Sequence, residues 1–181
     1  LARLLLLSLL TGFSLTGCQL NPFKHSTAES QQLKALIAQH LLPDRAKTPG
    51  VVRAAIPLSE LCRSGHATQV RRELTDSGNA RKRQVYALYG IAHHYRGDFE
   101  VDHLISLELN GSNSIENLFP QTQHAQWSAA VKDNLENKLH KLVCNRQVSL
   151  EEADRAISQN WIEAYKKYIA QKPIAVSPER D

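Results

Sequence analysis

Asp102 and His103 are adjacent near the middle of the chain, and Asn117 follows after thirteen intervening residues. Imidazole titrates near neutral pH, so His103 is suited to accept a proton from a water molecule. A carboxylate is a hard oxygen donor, so Asp102 is suited to bind Mg²⁺ or a similar divalent ion. The alternative is a strand-end carboxylate that hydrogen-bonds a surface imidazole. The pair favours metal-assisted hydrolysis, and no Ser/His/Asp spacing or glycine-rich phosphate loop offers a different chemistry.

Basic side chains precede this pair and predict a surface for a polyanion. Arg71-Arg72 and the run Arg81-Lys82-Arg83 are the densest basic positions. The whole chain has 22 Lys and Arg against 18 Asp and Glu, with a sequence pI near 9.0. A modest basic excess suits nucleic acid, although a solvated basic face is the alternative. We therefore expect Arg71, Arg72, Arg81, Lys82 and Arg83 to bind a phosphate backbone.

The elements that position these residues are predicted from periodicity. Phe99, Val101 and the stretch from Leu104 to Leu109 are strand-like, and Asn110-Gly111 is a strong hairpin signal. A helix is expected to start near residues 124–127, which completes the order strand, turn, strand, helix. The segment 44–76 has no helical period, so irregular structure is expected there, with a short strand at Val51-Val52.

One helix is predicted before this hairpin and two are predicted after it. Asn79 is expected to cap a helix that runs to Tyr89, with Gly90 marking its end. Two amphipathic stripes follow the hairpin and predict helices that pack on each other, so that Trp127 and Trp161 are core residues rather than base-stacking platforms. The stripes consist of Trp127, Val131, Leu135, Leu139 and Leu142, and of Ala153, Ile157, Trp161, Ala164 and Tyr168, the second after a capping box at Ser149 to Glu152.

The beginning of the chain has the layout of a bacterial export signal. One arginine precedes an apolar run, and Leu15-Thr16-Gly17-Cys18 resembles a lipobox, so residues 1–17 are expected to be removed and Cys18 lipidated. A cleaved soluble protein with an incidental Cys18 is the alternative. Residues 18–25 are predicted to form a tether, and residues 26–47 a capped helix and linker, the helix stopped by Pro43.

Export has a consequence for the remaining cysteines. Cys62 and Cys144 would lie outside the reducing cytosol, where paired thiols oxidise, so we predict one disulfide between them. Closing so long a loop restricts the unfolded chain and stabilises the fold in the entropic description. Two buried free thiols are the alternative.

The central segment resembles the HNH nuclease family. The resemblance rests on Asp102-His103, the spaced Asn117-Leu118 and the strand-turn-strand-helix order, and it extends more weakly from Thr48 to Trp161. It implies an α+β single domain over residues 48–172, with a small ββα-metal hairpin-helix core packed against additional helices, and a tail at 173–181. It also implies Asp102 as metal ligand and His103 as general base. Asn117 either orients the base or binds the metal, and His124 is a loose counterpart of the final histidine and hence a third ligand, with an exposed helix cap as its alternative.

The expected function is a metal-dependent endonuclease that hydrolyses phosphodiester bonds of DNA, with RNA as a second substrate, using Mg²⁺ or a similar ion. The expected location is the cell envelope, lipid-anchored through Cys18, and Gln19 after it favours the outer membrane. The competing hypothesis is a non-catalytic envelope lipoprotein that binds nucleic acid or a protein partner.

Overall fold

The computed structural model of the protein describes residues 27–73 and 78–169. The predicted signal at 1–17, the predicted lipidation site at Cys18, the predicted tether at 18–25 and the predicted tail at 173–181 therefore lie outside the described residues. The described parts contain six helices and two strands. In chain order they are α1 Thr27–Ala38, α2 Leu58–Leu61, α3 His66–Arg72, α4 Gly78–Tyr89, β1 Phe99–His103, β2 Leu118–Thr122, α5 Ala129–Cys144 and α6 Leu150–Tyr168. This mixture of helices with an antiparallel sheet confirms the α+β class.

The sheet is a two-stranded antiparallel hairpin in which Phe99 faces Thr122 and His103 faces Leu118. The prediction that the stretch from Leu104 to Leu109 is strand-like was wrong. That stretch forms a loop with a 3-10 turn at Leu107–Leu109, and a second 3-10 turn at Ile115–Asn117 leads directly into β2. Successive side chains of a strand point to opposite faces of the sheet, but this stretch buries neighbouring apolar side chains as well as alternate ones. The buried side chains are Leu104, Ile105, Leu107 and Leu109.

The Asn110-Gly111 pair is a loop closure and not the predicted hairpin turn. Asn110 has a φ of 61° and ends the 3-10 turn, and its side-chain amide donates to the carbonyl of Ala54 at 3.1 Å. At Gly111 an added Cβ would lie 1.9 Å from the carbonyl oxygen of Ile105, so only glycine fits this close approach. The loop is thereby held against the segment around Val52, which forms a single bridge to Gly111 and not the predicted strand.

The predicted amphipathic stripes form the main core, where α5 packs on α6. Leu135, Leu139 and Ile157 are fully buried, as is Trp161, whose indole N–H donates to the carbonyl of Leu41 at 2.7 Å. Trp127, which is half-buried, packs edge-to-face on Trp161, with ring centroids 5.9 Å apart, so Trp161 is a core residue as predicted and Trp127 packs against that core. The cap of α6 is also confirmed, because the Ser149 hydroxyl accepts from the Glu152 amide.

The segment between α1 and α4 is more helical than its sequence indicated. Two short helices, α2 and α3, lie where irregular structure was predicted. Cys62 directly follows α2 and forms the predicted disulfide with Cys144 at the end of α5, with Cα atoms 5.7 Å apart. The disulfide thus ties this segment to the main core. The predicted helix that ends at Gly90 is present as α4, but Asn79, the predicted cap, is the second residue of the helix.

The carboxylate of Asp154, on α6, makes the free energy of unfolding depend on pH. Burial raises the pKa of Asp154 to about 7, and its Oδ1 is buried with no hydrogen-bond partner among the described residues. In the unfolded chain its pKa returns to about 3.9. The folded state therefore holds the proton more tightly, and stability falls as pH rises from about 4 to about 7. We predict that Asp154→Asn raises the melting temperature at pH 8 and flattens this pH dependence in thermal unfolding scans.

Glu163→Gln, at an exposed position of the same helix, serves as the control and should leave the pH profile unchanged. An Asp154→Asn variant that melts at the parental temperature at pH 8 would contradict the account.

Candidate functional site

His103 lies at the end of β1 with its ring fixed by the amide of Asn113. The ring Nε2 is 2.9 Å from Asn113 Oδ1, and Asn113 Nδ2 donates to the carbonyl of Val70 at 2.9 Å. Because the amide nitrogen must face the carbonyl, the amide oxygen faces the ring, so Nε2 carries the proton. Nδ1 then keeps its lone pair, and it has no hydrogen-bond partner among the described residues.

The protonation state of His103 suits a proton acceptor. Burial lowers the pKa of the ring, and the hydrogen bond that the ring donates to Asn113 and the charge of Asp102 oppose that effect only in part. The neutral imidazole therefore predominates at neutral pH, and its free nitrogen is Nδ1.

Asp102 borders the same cavity as His103, although neighbouring side chains of a strand normally diverge. Its Oδ1 accepts from the backbone amide of His103 at 2.8 Å, a local bond that turns the carboxylate along the strand end. Its Oδ2 accepts from the ammonium of Lys132 at 2.9 Å. Asp102 and His103, the two residues predicted to carry the chemistry, thus border one cavity, and Asp102 is already paired with the Lys132 ammonium.

Lys132 is a residue that sequence reasoning missed. It is completely buried on α5, and its ammonium donates to three oxygens, on Asp102, on Glu136 and on the His103 carbonyl, the last at 2.6 Å. Burial by itself would lower the pKa of Lys132, but the two carboxylates raise it well above the ordinary value, so the ammonium stays charged. The available signal was the four-residue spacing of Lys132 and Glu136 on a helix face that also carries Leu135 and Leu139.

Asn117 lies in neither of its two predicted roles. It is completely buried, its Oδ1 accepts from the Ile105 amide at 3.0 Å, and its Nδ2 donates to the carbonyls of Ile105 at 2.9 Å and Ser112 at 2.8 Å. Among the described residues the side chain makes no hydrogen bond to His103, and it does not line the cavity beside that residue. Asn117 therefore holds the loop that joins β1 to β2, and it acts on the site through the backbone.

A cavity of about 270 Å³, which we call the His103 cavity, gathers the site residues. Three of the five predicted basic residues line it. The lining consists of Arg71, Arg81, Lys82, Glu100, Val101, Asp102, His103 and Leu118. Arg81 also donates to the carbonyl of Asn113, so it supports the residue that fixes His103. Arg72 is exposed and does not line the His103 cavity, and Arg83 lines a neighbouring cavity.

His124 stays outside the site. It is exposed in the connection between β2 and α5, where its amide donates to the Thr122 hydroxyl, and α5 begins only at Ala129. It does not line the His103 cavity. The expected third ligand is therefore not brought to Asp102, because the chain turns outward before the helix starts.

Two further carboxylates lie near Asp102 and were not predicted as site residues. Burial raises the pKa of Glu100, and the charges of Asp102 and Asp133 raise it further. Burial also raises the pKa of Asp133, again with Asp102 contributing. Glu100 is two residues before Asp102 on β1, so the period of a strand was the signal that could have found it. The three carboxylates repel one another on one side of the site.

Within residues 27–73 and 78–169, the only preformed group of three metal-ligating side chains is Cys62, His140 and Cys144. Its two sulfurs form the disulfide, so they are not thiolate ligands in this structure. No helix in the same residues is long and apolar enough to cross a bilayer. Comparisons of the chain with known protein families, with curated proteins and with solved structures found no match.

The burial of Asn117 predicts a structural phenotype. Asn117→Ala removes three hydrogen bonds to the loop and leaves backbone groups unpaired, at about 1–3 kcal/mol for each unsatisfied group. We expect urea denaturation to show a free energy of unfolding lower by at least about 2 kcal/mol. Asn134→Ala, at an exposed position of α5, should change it by less than about 0.5 kcal/mol. An Asn117→Ala variant as stable as the parent would contradict this role.

Proposed function

We propose that the protein is a metal-dependent endonuclease that hydrolyses phosphodiester bonds of DNA, with RNA as a second substrate, outside the cytosol. The observation that carries the proposal is the neutral His103 ring, fixed through Nε2 by Asn113 and unpaired at Nδ1, in a cavity that three basic side chains also line. A base beside cations is what a phosphodiester and its attacking water require.

The arrangement of elements supports an HNH-type ββα core. The strands β1 and β2 form an antiparallel hairpin, and α5 follows directly in the chain. Lys132 of α5 bonds the Asp102 side chain and the His103 carbonyl, so the helix packs against the functional end of β1. This is the order in which the HNH family holds its metal between a hairpin and a helix.

His103 is the proposed general base. Nδ1 takes the proton of the attacking water as the water oxygen bonds to phosphorus; the bond from phosphorus to the leaving oxygen breaks, and solvent water protonates that oxygen. The Nε2–H bond to Asn113 Oδ1 keeps the ring oriented while it carries positive charge. A positioned base contributes about 10²- to 10⁴-fold to such a reaction. The oxygen of Asn113 therefore has the orienting role that the sequence had assigned, as one alternative, to Asn117.

Arg71, Arg81 and Lys82 are the proposed phosphate contacts at the cut position, because they line the His103 cavity together. Guanidinium groups bind phosphate oxygens in a bidentate way, and an ammonium adds a point charge. Arg83 and Arg72 lie beyond this cavity and are assigned to the backbone on either side of it.

Asp102 offers a hard carboxylate oxygen that suits a divalent ion such as Mg²⁺, which is commonly held by one or two carboxylates together with water and substrate phosphate. Glu100 and Asp133 are close enough for the Asp102 charge to raise their pKa, but the three carboxylates do not form a preformed metal-ligating group among the described residues. When bound, the ion would polarise the phosphate and acidify a water molecule. Asp102 is the proposed ligand, and Lys132 orients its carboxylate.

A second candidate function is a non-catalytic envelope lipoprotein that binds nucleic acid or a protein partner through the same surface. The observation in its favour is the Lys132 ammonium, which neutralises Asp102 without a metal ion. The lipid anchor and the outer-membrane location, in either candidate, rest on the sequence around Cys18.

Plasmid digestion by the full chain separates these candidates. We expect nicking of supercoiled DNA that stops on addition of EDTA and returns with excess Mg²⁺. Asp102→Asn, which keeps the size of the side chain but loses its charge, should lower the rate by at least about tenfold, a magnitude typical for loss of a group that supports metal binding. Glu163→Gln, far along α6 and exposed, should digest like the parent.

Digestion that persists in EDTA would contradict the metal requirement. Tight, salt-sensitive DNA binding without digestion by the parent protein, in any divalent ion, would favour the second candidate.

A further inference from the structure

A second cavity of about 610 Å³ adjoins the His103 cavity, and we call it the ring cavity. Lys82 lines both. The ring cavity lies between α4, the loop that precedes β1, and the end of β2. Its lining consists of Asn79, Lys82, Arg83, Tyr86, His94, Arg96, Gly97, Phe99 and Gln123. Its volume is in the range of cavities that hold small organic ligands.

Three rings in this lining are neighbours whose planes are tilted, by 46° between Tyr86 and His94 and by 60° between His94 and Phe99. The Tyr86 and His94 ring centroids are 4.2 Å apart, and those of His94 and Phe99 are 6.5 Å apart. Tyr86 and Phe99 are half-buried, and His94 is exposed, so ring surface remains accessible from the cavity. Aromatic surface that opens into a polar cavity, instead of packing into the core, is suited to stack on a flat ligand.

The charged lining has one sign. Lys82, Arg83 and Arg96 contribute three cations, and no carboxylate belongs to the lining. Two acids lie beside this segment: Asp98 accepts from the Tyr95 amide at 2.6 Å, and Glu100 accepts at 3.4 Å from the side chain of Gln123, which lines the ring cavity. The three cations of the lining outnumber this one neighbouring carboxylate, so the ring cavity suits a ligand that is both flat and anionic.

We propose that the ring cavity binds the nucleotide next to the phosphodiester that the His103 cavity holds, in a single-stranded or locally unpaired substrate. The base stacks on the ring of Tyr86, with the rings of His94 and Phe99 beside it, and the phosphates of the nucleotide contact the cations around them. The proposal rests on the proposed nuclease function and deepens it by naming the substrate class. Bases of an intact duplex are stacked on each other, so only an unpaired nucleotide presents a free face.

The residue shared by the two cavities determines how the proposed nucleotide and the cut position are joined. Lys82 contacts both, so one backbone phosphate at Lys82 joins the nucleotide in the ring cavity to the cut position beside His103. Arg83 and Arg96 are assigned to the next phosphate. This accounts for the position of Arg83, which the His103 cavity does not use.

Equilibrium binding in EDTA tests the subsite without requiring any turnover. The probe is a fluorescently labelled oligothymidylate of ten nucleotides, measured by anisotropy with the full chain, beside a duplex of equal length. We expect the single strand to bind more tightly than the duplex. Tyr86→Ala should weaken single-strand binding by at least about fivefold, as is typical for a base-stacking ring, and Tyr86→Phe should retain it.

The chain offers matched controls for both types of contact. Tyr95 is 84% exposed and does not line the ring cavity, so Tyr95→Ala should bind like the parent. Arg96→Ala should weaken binding and reduce the slope of log affinity against log salt by about 0.7, whereas exposed Arg155→Ala on α6 should do neither. An oligonucleotide of abasic residues should bind more weakly than oligothymidylate and should not respond to Tyr86→Ala.

Failure of the subsite is distinguishable from failure of the nuclease proposal. Parental affinity in Tyr86→Ala, equal binding of the abasic probe, or no binding of the single strand by the full chain would overturn the subsite, even if plasmid is digested. Loss of affinity in Tyr86→Ala and Arg96→Ala, with Tyr95→Ala and Tyr86→Phe unaffected, would support it even if no digestion occurs.

Discussion

The buried ammonium of Lys132 is the contact on which the candidate site depends. It joins α5 to β1 through Asp102 and the His103 carbonyl, and it bonds Glu136 one turn further along its own helix. A buried charge is stable only when its partners satisfy it, and removing one partner costs about 3–5 kcal/mol. These bonds therefore fix the position of α5 against the hairpin. Burial pushes the pKa of Glu136 upward and the Lys132 charge pulls it back, so the two groups stabilise each other's charged forms.

A second network holds the ring of His103 while the lysine holds the strand. Asn113 accepts from the ring and donates to Val70, Arg81 donates to the Asn113 carbonyl, and Asn117 fixes the loop from which Asn113 projects. The side-chain amides of Asn113 and Asn117 thus have different roles. Asn117, which is buried, fixes the loop backbone, and Asn113, which is half-buried, selects the ring tautomer of His103.

Particular residues show how far the sequence could predict this structure. The α5 and α6 stripes were predictable because Leu135, Leu139, Ile157 and Trp161 recur at helical spacing and one continuous core receives them. The strand β2 was not, since it contains Pro120, which argues against a central strand but is tolerated in a sheet that has only edges. The short helices α2 and α3 depend on tertiary packing, with Leu61 and Val70 almost fully buried, and such packing leaves little periodic signal.

Asp102 and His103 were found from residue type, whereas Asn113 and Lys132 matter through contacts with His103, which lies 10 and 29 residues away from them in the chain.

Chemical rescue tests the central claim, that Nδ1 of His103 accepts the proton of the attacking water. His103→Gly removes the ring where it borders the His103 cavity, so dissolved imidazole has space to enter. We predict that plasmid digestion by His103→Gly falls by about 10²- to 10⁴-fold and rises again with imidazole concentration, while His93→Gly, at an exposed position, behaves like the parent. Digestion by His103→Gly at the parental rate without imidazole would contradict the account.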